Sequence, residues 1–276
     1  MALETIACPY CGSANARPWA QERGFTVVRC ECRLLFVNPR PTQDLIHTAV
    51  STGVHGEEAG GLVAIARRSP SKIPRYRRVF AHMFPDVWSR SEPISWLDVG
   101  SGYGEILEAI APLAPAGSHL EGLEPMGPKA EVARSRGLTI TEDYLRRDHL
   151  KVDFVSSIDV FSHIPDYAKF LDDIRAVLNP RGEVFIETGN LADLEQRIEF
   201  PEELGVPDHL VFAGEKHLVG FLDRAGFDLV KLETVRVDGI LHFAKTVAKK
   251  ILGRPVQVNM PYTSKYRQLL IRARLR

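Results

Sequence analysis

The 276-residue chain predicts an α/β protein with a doubly wound, mostly parallel seven-stranded sheet carrying helices on both faces. Three observations predict it. From Pro93 onward, short apolar runs alternate with amphipathic segments at the spacing of βαβ units. The first of these runs ends in a glycine-rich turn, Asp98-Val-Gly-Ser-Gly-Tyr-Gly104. All four cysteines, Cys8, Cys11, Cys30 and Cys32, lie at the N-terminus, which marks a separate small module there.

The elements follow in order. Cys8-Pro-Tyr-Cys11 and Cys30-Glu-Cys32 form two pairs at turns, the second preceded by the β-prone run Phe25–Val28. A polar stretch lies between them, and the pattern describes a small zinc ribbon over residues 1–37. The second pair is C-x-C, one residue shorter than the usual ribbon spacing, yet two thiolates so placed still chelate one metal ion. In a reducing compartment such a cluster means a structural Zn2+ site rather than disulfides.

Residues 38–92 read as a helical cap. Asn38-Pro-Arg-Pro41 breaks the preceding strand, a short helix covers Thr42–Val50, and Gly53, Gly56, Gly60 and Gly61 give the segment the make-up of a lid. A basic helix with Arg75, Arg77 and Arg78 follows. In residues 93–276 the expected strands are Ile94–Val99, His119–Leu123, Leu138–Thr141, Asp153–Asp159, Glu183–Thr188, Phe227–Val235 and Gln268–Arg274. Helices are expected over Glu105–Ala114, Lys129–Ser135, Tyr167–Leu178 and Glu215–Ala225. A basic helical insertion occupies about 238–262, with Leu241, Ala244, Val247, Ala248, Ile251 and Leu252 on one stripe and Lys245, Lys249 and Lys250 opposite.

Composition narrows the class. The formal charge is zero, but it divides into +5 over residues 1–91, −14 over 92–230 and +9 over 231–276. That asymmetry fits an acidic central domain with basic flanks, suited to attracting an anionic small molecule. No apolar run is long enough for a membrane span, and the first residues lack a signal-peptide pattern, so a cytoplasmic protein is expected.

The turn after the first strand discriminates between cofactors. Glycines let the backbone reverse tightly and approach a ligand, and the following helix N-terminus offers free N–H groups. A dinucleotide fingerprint, G-x-G-x-x-G, would place glycine at 105, where this chain has Glu105. The spacing is D-x-G-x-G-x-G, and it resembles the motif of class I S-adenosylmethionine-dependent methyltransferases. The stretch Asp153–Asp166 and the sequel Phe170–Gly182 resemble the fourth-strand region of that family, which extends the likeness over about Pro93 to Val235.

The resemblance implies a Rossmann-like domain with S-adenosyl-L-methionine lying against Asp98, Gly100, Ser101, Gly102, Tyr103 and Gly104. Glu124, closing the second strand, suits the ribose hydroxyls, because one carboxylate accepts both. Asp143 falls where the family meets adenine, and Asp159 and Phe161 follow the fourth strand toward the cofactor. His163 stands at the carboxyl edge as a candidate general base for a hydroxyl acceptor, or as a group that places the cofactor. Arg75, Arg78, Asn190 and His209 are candidate acceptor contacts.

The expected activity is methyl transfer to a small molecule, above all to a hydroxyl of a sugar, glycan or secondary metabolite. The basic cap hints at a phosphorylated or nucleotide-linked acceptor. A deoxysugar C-methyltransferase is a variant of this reading, and an RNA methyltransferase gripping nucleic acid with its ribbon is a second one. Against RNA, the ribbon's Arg17, Arg23, Arg29 and Arg33 are offset by Glu4, Glu22 and Glu31. Membrane contact is expected to be peripheral at most, through the basic C-terminal helix.

Overall fold

A computed structural model describes residues 2–55, 62–63, 67–200, 202–253, 258 and 260–276. Seven strands form the central sheet: β1 Ser95–Val99, β2 His119–Leu123, β3 Ile140–Thr141, β4 Val152–Ile158, β5 Leu178–Gly189, β6 Phe227–Arg236 and β7 Arg267–Leu275. Their spatial order is β3-β2-β1-β4-β5-β7-β6. All neighbours are parallel except β7, which runs antiparallel to both β5 and β6. This is the Rossmann-like, doubly wound arrangement, with its order reversing at β1 and β4.

Side chains alternate across the sheet as the pleat requires. Trp96, Phe154, Phe185 and Leu270 face one layer, and Leu97, Val155, Val184, Ile186 and Ile271 face the other. The first layer is the helix Ile73–Met83 with the turn Pro85–Trp88 and the helix Glu105–Ile110. Phe80, Phe84 and Trp88 from this layer meet Trp96, Phe154 and Phe185 with ring centroids 5.1–5.9 Å apart. Residues 73–88 are therefore a layer of the fold, a correction to the cap expected over 38–92. An amphipathic helix with Tyr76, Phe80 and Met83 on one stripe buries that stripe wherever an apolar sheet face is free.

The second layer holds Tyr167–Val177 and Glu215–Arg224 together with the N-terminal module. Strands Ala16–Glu22, Phe25–Cys30 and Leu35–Val37 form an antiparallel sheet whose fourth strand is Val211–Phe212. The module thus shares a sheet with the main domain. The expected polar stretch between the cysteine pairs is largely the strand Ala16–Glu22, which the eye passes over because it carries Arg17, Gln21 and Glu22.

Several boundaries also shift, two of them by four residues or more. Strand β5 begins at Leu178, opposite Val152, rather than at Glu183. Its pairing skips across Asn179-Pro-Arg-Gly182, where Asn179 Nδ2 donates to Asp153 Oδ1 at 2.7 Å. The helix after β1 stops at Ile110, two residues before Pro112. Residues 56–61 of the glycine-rich stretch in the cap lie outside the described residues. Among the described residues, no helix is long and apolar enough to cross a membrane.

Candidate cofactor and acceptor site

The carboxyl edge of the sheet opens into a cavity of about 620 Å³ whose floor is the loop after β1. Gly100, Gly102 and Gly104 all adopt left-handed backbone, with φ of 72°, 55° and 82°. At two of them a side chain would also press on a neighbour. A Cβ on Gly100 would lie 2.5 Å from Val160 Cγ2, and one on Gly104 would lie 2.3 Å from Leu138 Cδ1. Around Gly102 there is open space, so its backbone faces the cavity bare.

The loop is clamped from β2. The N–H groups of Gly100 and Ser101 both donate to the Leu123 carbonyl, at 2.8 and 2.9 Å. Glu124, buried at the end of β2, accepts from Gly102 N at 2.7 Å and from Met126 N at 3.0 Å. Glu121 lies on the outer side, where Thr141 Oγ1 donates to it.

Asp98 lies beneath the loop and is 1% exposed. Its Oδ1 accepts from Ser156 Oγ at 2.6 Å, while its Oδ2 has no hydrogen-bond partner. Burial pushes its pKa up to about 7; the Ser156 bond opposes this, and the Glu124 and Glu105 carboxylates add to it.

Beyond β4, Asp159 takes a positive φ of 56° and opens onto the cavity. Surrounding protein still raises its pKa by desolvation, against the pull of Lys72, Arg75 and His163. His163 Nδ1 donates to the Asp208 carboxylate and carbonyl, both at 3.0 Å. Burial disfavours charge on this ring, and Asp208 more than offsets that, leaving its pKa raised. Its neighbour His209, 4.7 Å away centroid to centroid, donates from Nδ1 to the Leu204 carbonyl. Burial and the His163 charge push His209 down to about 4, so it is neutral near pH 7.

The structure brings together Asp98, Gly100, Ser101, Gly102, Tyr103, Glu124, Asp143, Asp159, His163 and His209 around one space. Gly104 stands just behind it, capping the helix Glu105–Ile110. Four expected contacts lie elsewhere. Phe161 is 1% exposed and packs on Tyr167, because the turn after β4 aims Val160 at the loop and Phe161 at the core. Asn190 Oδ1 accepts from Arg267 N, joining β5 to β7 away from the cavity. Arg75 pairs with the buried Glu187 at 2.5 Å, and Arg78 is exposed on the face of its helix opposite Tyr76 and Phe80. Arg67 and Lys72 line the cavity instead.

His47 and Tyr144 line the cavity as well, the first without a sequence signal, the second next to Asp143 in the stretch that falls where the family meets adenine. They come from elements far apart in the chain, yet their rings meet at 4.1 Å, and Tyr144 Oη donates to His47 O.

The four cysteines converge as a second cluster. Cys8 and Cys32 Sγ are 3.6 Å apart, Cys11 and Cys30 Sγ 3.4 Å, and all four lie within 4.8 Å of one another. Tetrahedral zinc with bonds of about 2.3 Å spaces its sulfurs by roughly 3.8 Å, so the donor set fits. The module is locked to the main domain around this cluster. His217 Nε2 donates to Cys32 O at 3.0 Å, and the Arg224 guanidinium lies 4.1 Å over the Tyr10 ring.

A glycine loop clamped at the switch point of a seven-stranded sheet, with an acidic residue closing β2, defines the class I S-adenosylmethionine-dependent methyltransferase domain. The comparisons agree: residues 71–232 match the family described as "Methyltransferase domain", and the chain belongs to it. A ubiquinone biosynthesis O-methyltransferase of Vibrio campbellii is 27% identical over 190 residues, 62% of this chain and 77% of the relative. One from Xylella fastidiosa is 30% identical over 118 residues, 38% of this chain. The chain spans under half the length of that and several similar relatives. The structure of an S-adenosylmethionine-dependent methyltransferase from Archaeoglobus fulgidus superposes with a TM-score of 0.53 at 15% identity. It covers 73% of this chain and 94% of its own.

The raised Asp98 pKa has a sign that can be measured. A carboxyl whose folded pKa lies above its unfolded value of 3.8 favours folding while protonated, and that contribution disappears as pH rises through about 7. At about 1.36 kcal/mol per unit, the shift amounts to about 4 kcal/mol. Denaturant unfolding of the ligand-free protein should therefore show its stability falling between pH 4 and pH 7 relative to Asp98→Asn. Parallel pH curves for the two proteins would contradict the assignment.

Proposed function

We propose that this chain transfers a methyl group from S-adenosylmethionine to a hydroxyl of a small molecule, with His163 taking the proton. The observation that carries the reading is the cavity itself, a bare glycine backbone flanked by two acidic positions on one side and a histidine–aspartate pair on the other. The unpartnered Oδ2 of Asp98 suits a cationic amino group, and Glu124 retains lone pairs for ribose hydroxyls. Asp143 and Tyr144 are proposed for the adenine side, where both line the cavity. The bound cofactor supplies an electrophilic sulfonium methyl, so the protein's tasks are alignment, exclusion of water and removal of one proton.

The cavity wall also includes Ile46, Val50, Leu145, Ile164 and Phe170, and this apolar share favours an acceptor with an apolar part. The relatives named for ubiquinone biosynthesis support oxygen as the target and a quinone-type acceptor over a sugar. A phosphorylated acceptor loses its expected carriers, since Arg75 is paired with Glu187 and Arg78 lies outside the cavity; Arg67 and Lys72 are the cations such an acceptor would meet there. The RNA reading is disfavoured too: Arg23 pairs with Glu203, Arg33 with Glu195, and Arg29 donates to the Leu194 and Glu195 carbonyls.

Asp208 holds the His163 ring by its Nδ1–H, which leaves Nε2 as the nitrogen able to accept the hydroxyl proton. A base must be deprotonated to act, so kcat should rise with pH through a midpoint above 6.5. Asp208→Asn should move that midpoint down, and His163→Gln should remove the limb and lower kcat by about 10²–10⁴-fold. An unchanged pH profile in His163→Gln would eliminate the base role.

We further propose that Cys8, Cys11, Cys30 and Cys32 hold one structural zinc ion. Without metal, burial raises the Cys8 thiol and pushes Cys32 up to about 11, so binding would release protons. Elemental analysis should give one zinc per chain, lost in the double variant Cys11→Ser, Cys32→Ser together with a lower melting temperature. Metal-free protein whose melting is indifferent to added zinc would contradict this.

A further inference from the structure

The insertion between β6 and β7 takes no part in the cavity, yet its make-up is distinctive. Arg236 pairs with Arg267, and Gln268 pairs with Gly189 at the end of β5, so the insertion leaves the sheet at its carboxyl edge. That is the edge bearing the glycine loop, Asp159 and His163. Its stem is closed by its own bonds: Tyr262 N donates to Asp238 O, Ser264 N to Asp238 Oδ2, and Arg236 Nη1 to Tyr262 O.

On this stem stands the helix Ile240–Ile251. Ile240 is 62% exposed, Ile251 79% and Leu252 76%; Ala244 and Ala248, on the same stripe, are exposed as well. The Leu241 side chain lies outside the described residues. Phe243 is half-buried, as is Val247, which is expected on the stripe and stands at its inner edge, so the helix lies against the protein and turns the rest of the stripe outward. Met260 and Tyr262, further along the insertion, expose apolar surface too. Lys245 and Lys249 are exposed on one flank of the stripe and Lys250 on the other, rather than squarely opposite it, and none forms an ion pair among the described residues.

We propose that the helix Ile240–Ile251 docks the protein on an anionic phospholipid surface. A bilayer interface accepts a helix whose apolar stripe enters the acyl boundary while flanking lysines reach the headgroups. Exposed lysines flanking an outward apolar face match that chemistry in both respects, and residues 231–276 as a whole carry +9. Docking by this edge would turn the acceptor side toward the lipid, from which a hydroxylated molecule with an apolar tail could enter. The docking stands independently of the methyl-transfer reading, because it uses none of the cavity residues.

Co-sedimentation of the full chain with vesicles tests it. Binding is expected to phosphatidylcholine vesicles containing about one third phosphatidylglycerol, weakening in high salt, and not to pure phosphatidylcholine. The triple variant Lys245→Gln, Lys249→Gln, Lys250→Gln should weaken partitioning roughly a hundredfold, at about fivefold per lysine. Ile251→Asp with Leu252→Asp should abolish it, with the melting temperature unchanged in both variants. Gly100→Asp should leave vesicle binding intact, which separates docking from cofactor binding. Wild-type protein that stays in the supernatant, or a triple variant that partitions equally, would overturn the proposal. So would self-association in sedimentation velocity that Ile251→Asp removes, since the face would then belong to a second copy of the chain.

Discussion

The Leu123 carbonyl, accepting from both Gly100 and Ser101, is the contact on which the carboxyl edge depends. It forces the chain leaving β1 to fold back toward β2 within two residues, and only left-handed backbone makes that reversal. Three glycines then carry the chain across the top of the sheet, and Gly104 delivers it into the next helix against Leu138. The same reversal leaves Asp98 beneath the loop with one oxygen unanswered, and it sets Glu124 where it grips Gly102. The cavity exists because the loop is held down from β2 rather than filled by side chains.

The N-terminal module belongs to the same construction. Leu210 N donates to Ser162 O and Val37 N donates to Leu210 O, so the segment bearing Asp208 and His209 lies between the module and the end of β4. Glu22 holds that segment from another side, accepting from Leu204 N and Gly205 N. A module so placed acts as a brace for the histidines, and the pairing of its arginines with Glu195 and Glu203 binds it down further. Its four-cysteine cluster lies on the opposite flank, tied to the helix Glu215–Arg224 through His217.

Much of this was legible in the residues. Alternation of apolar runs with turn residues revealed the strands most clearly at the centre of the sheet, where β1, β4 and β5 are buried along most of their length. Glycine spacing revealed the loop, since three closely spaced glycines are rarely needed anywhere else. What could not be read shares a physical cause: it depends on which way a turn points or on a partner distant in sequence. Phe161 and Val160 are both apolar, and only the turn after β4 decides which of them faces the loop. Arg75 looked like an anion contact because nothing local reveals Glu187, buried on β5 over a hundred residues away. The helix Ile73–Met83 looked like a cap for the same reason, since its apolar stripe suits a pocket or a sheet equally.

Calorimetric titration with S-adenosylhomocysteine tests the central claim most directly, because it isolates the loop from the acceptor chemistry. Saturable binding at one site per chain is predicted. Gly100→Asp should abolish it by colliding with Val160, and Glu124→Ala should weaken it by at least tenfold, with both variants folded by circular dichroism. Wild-type protein that gives no heat at any concentration, or variants that bind as tightly as wild type, would contradict the account.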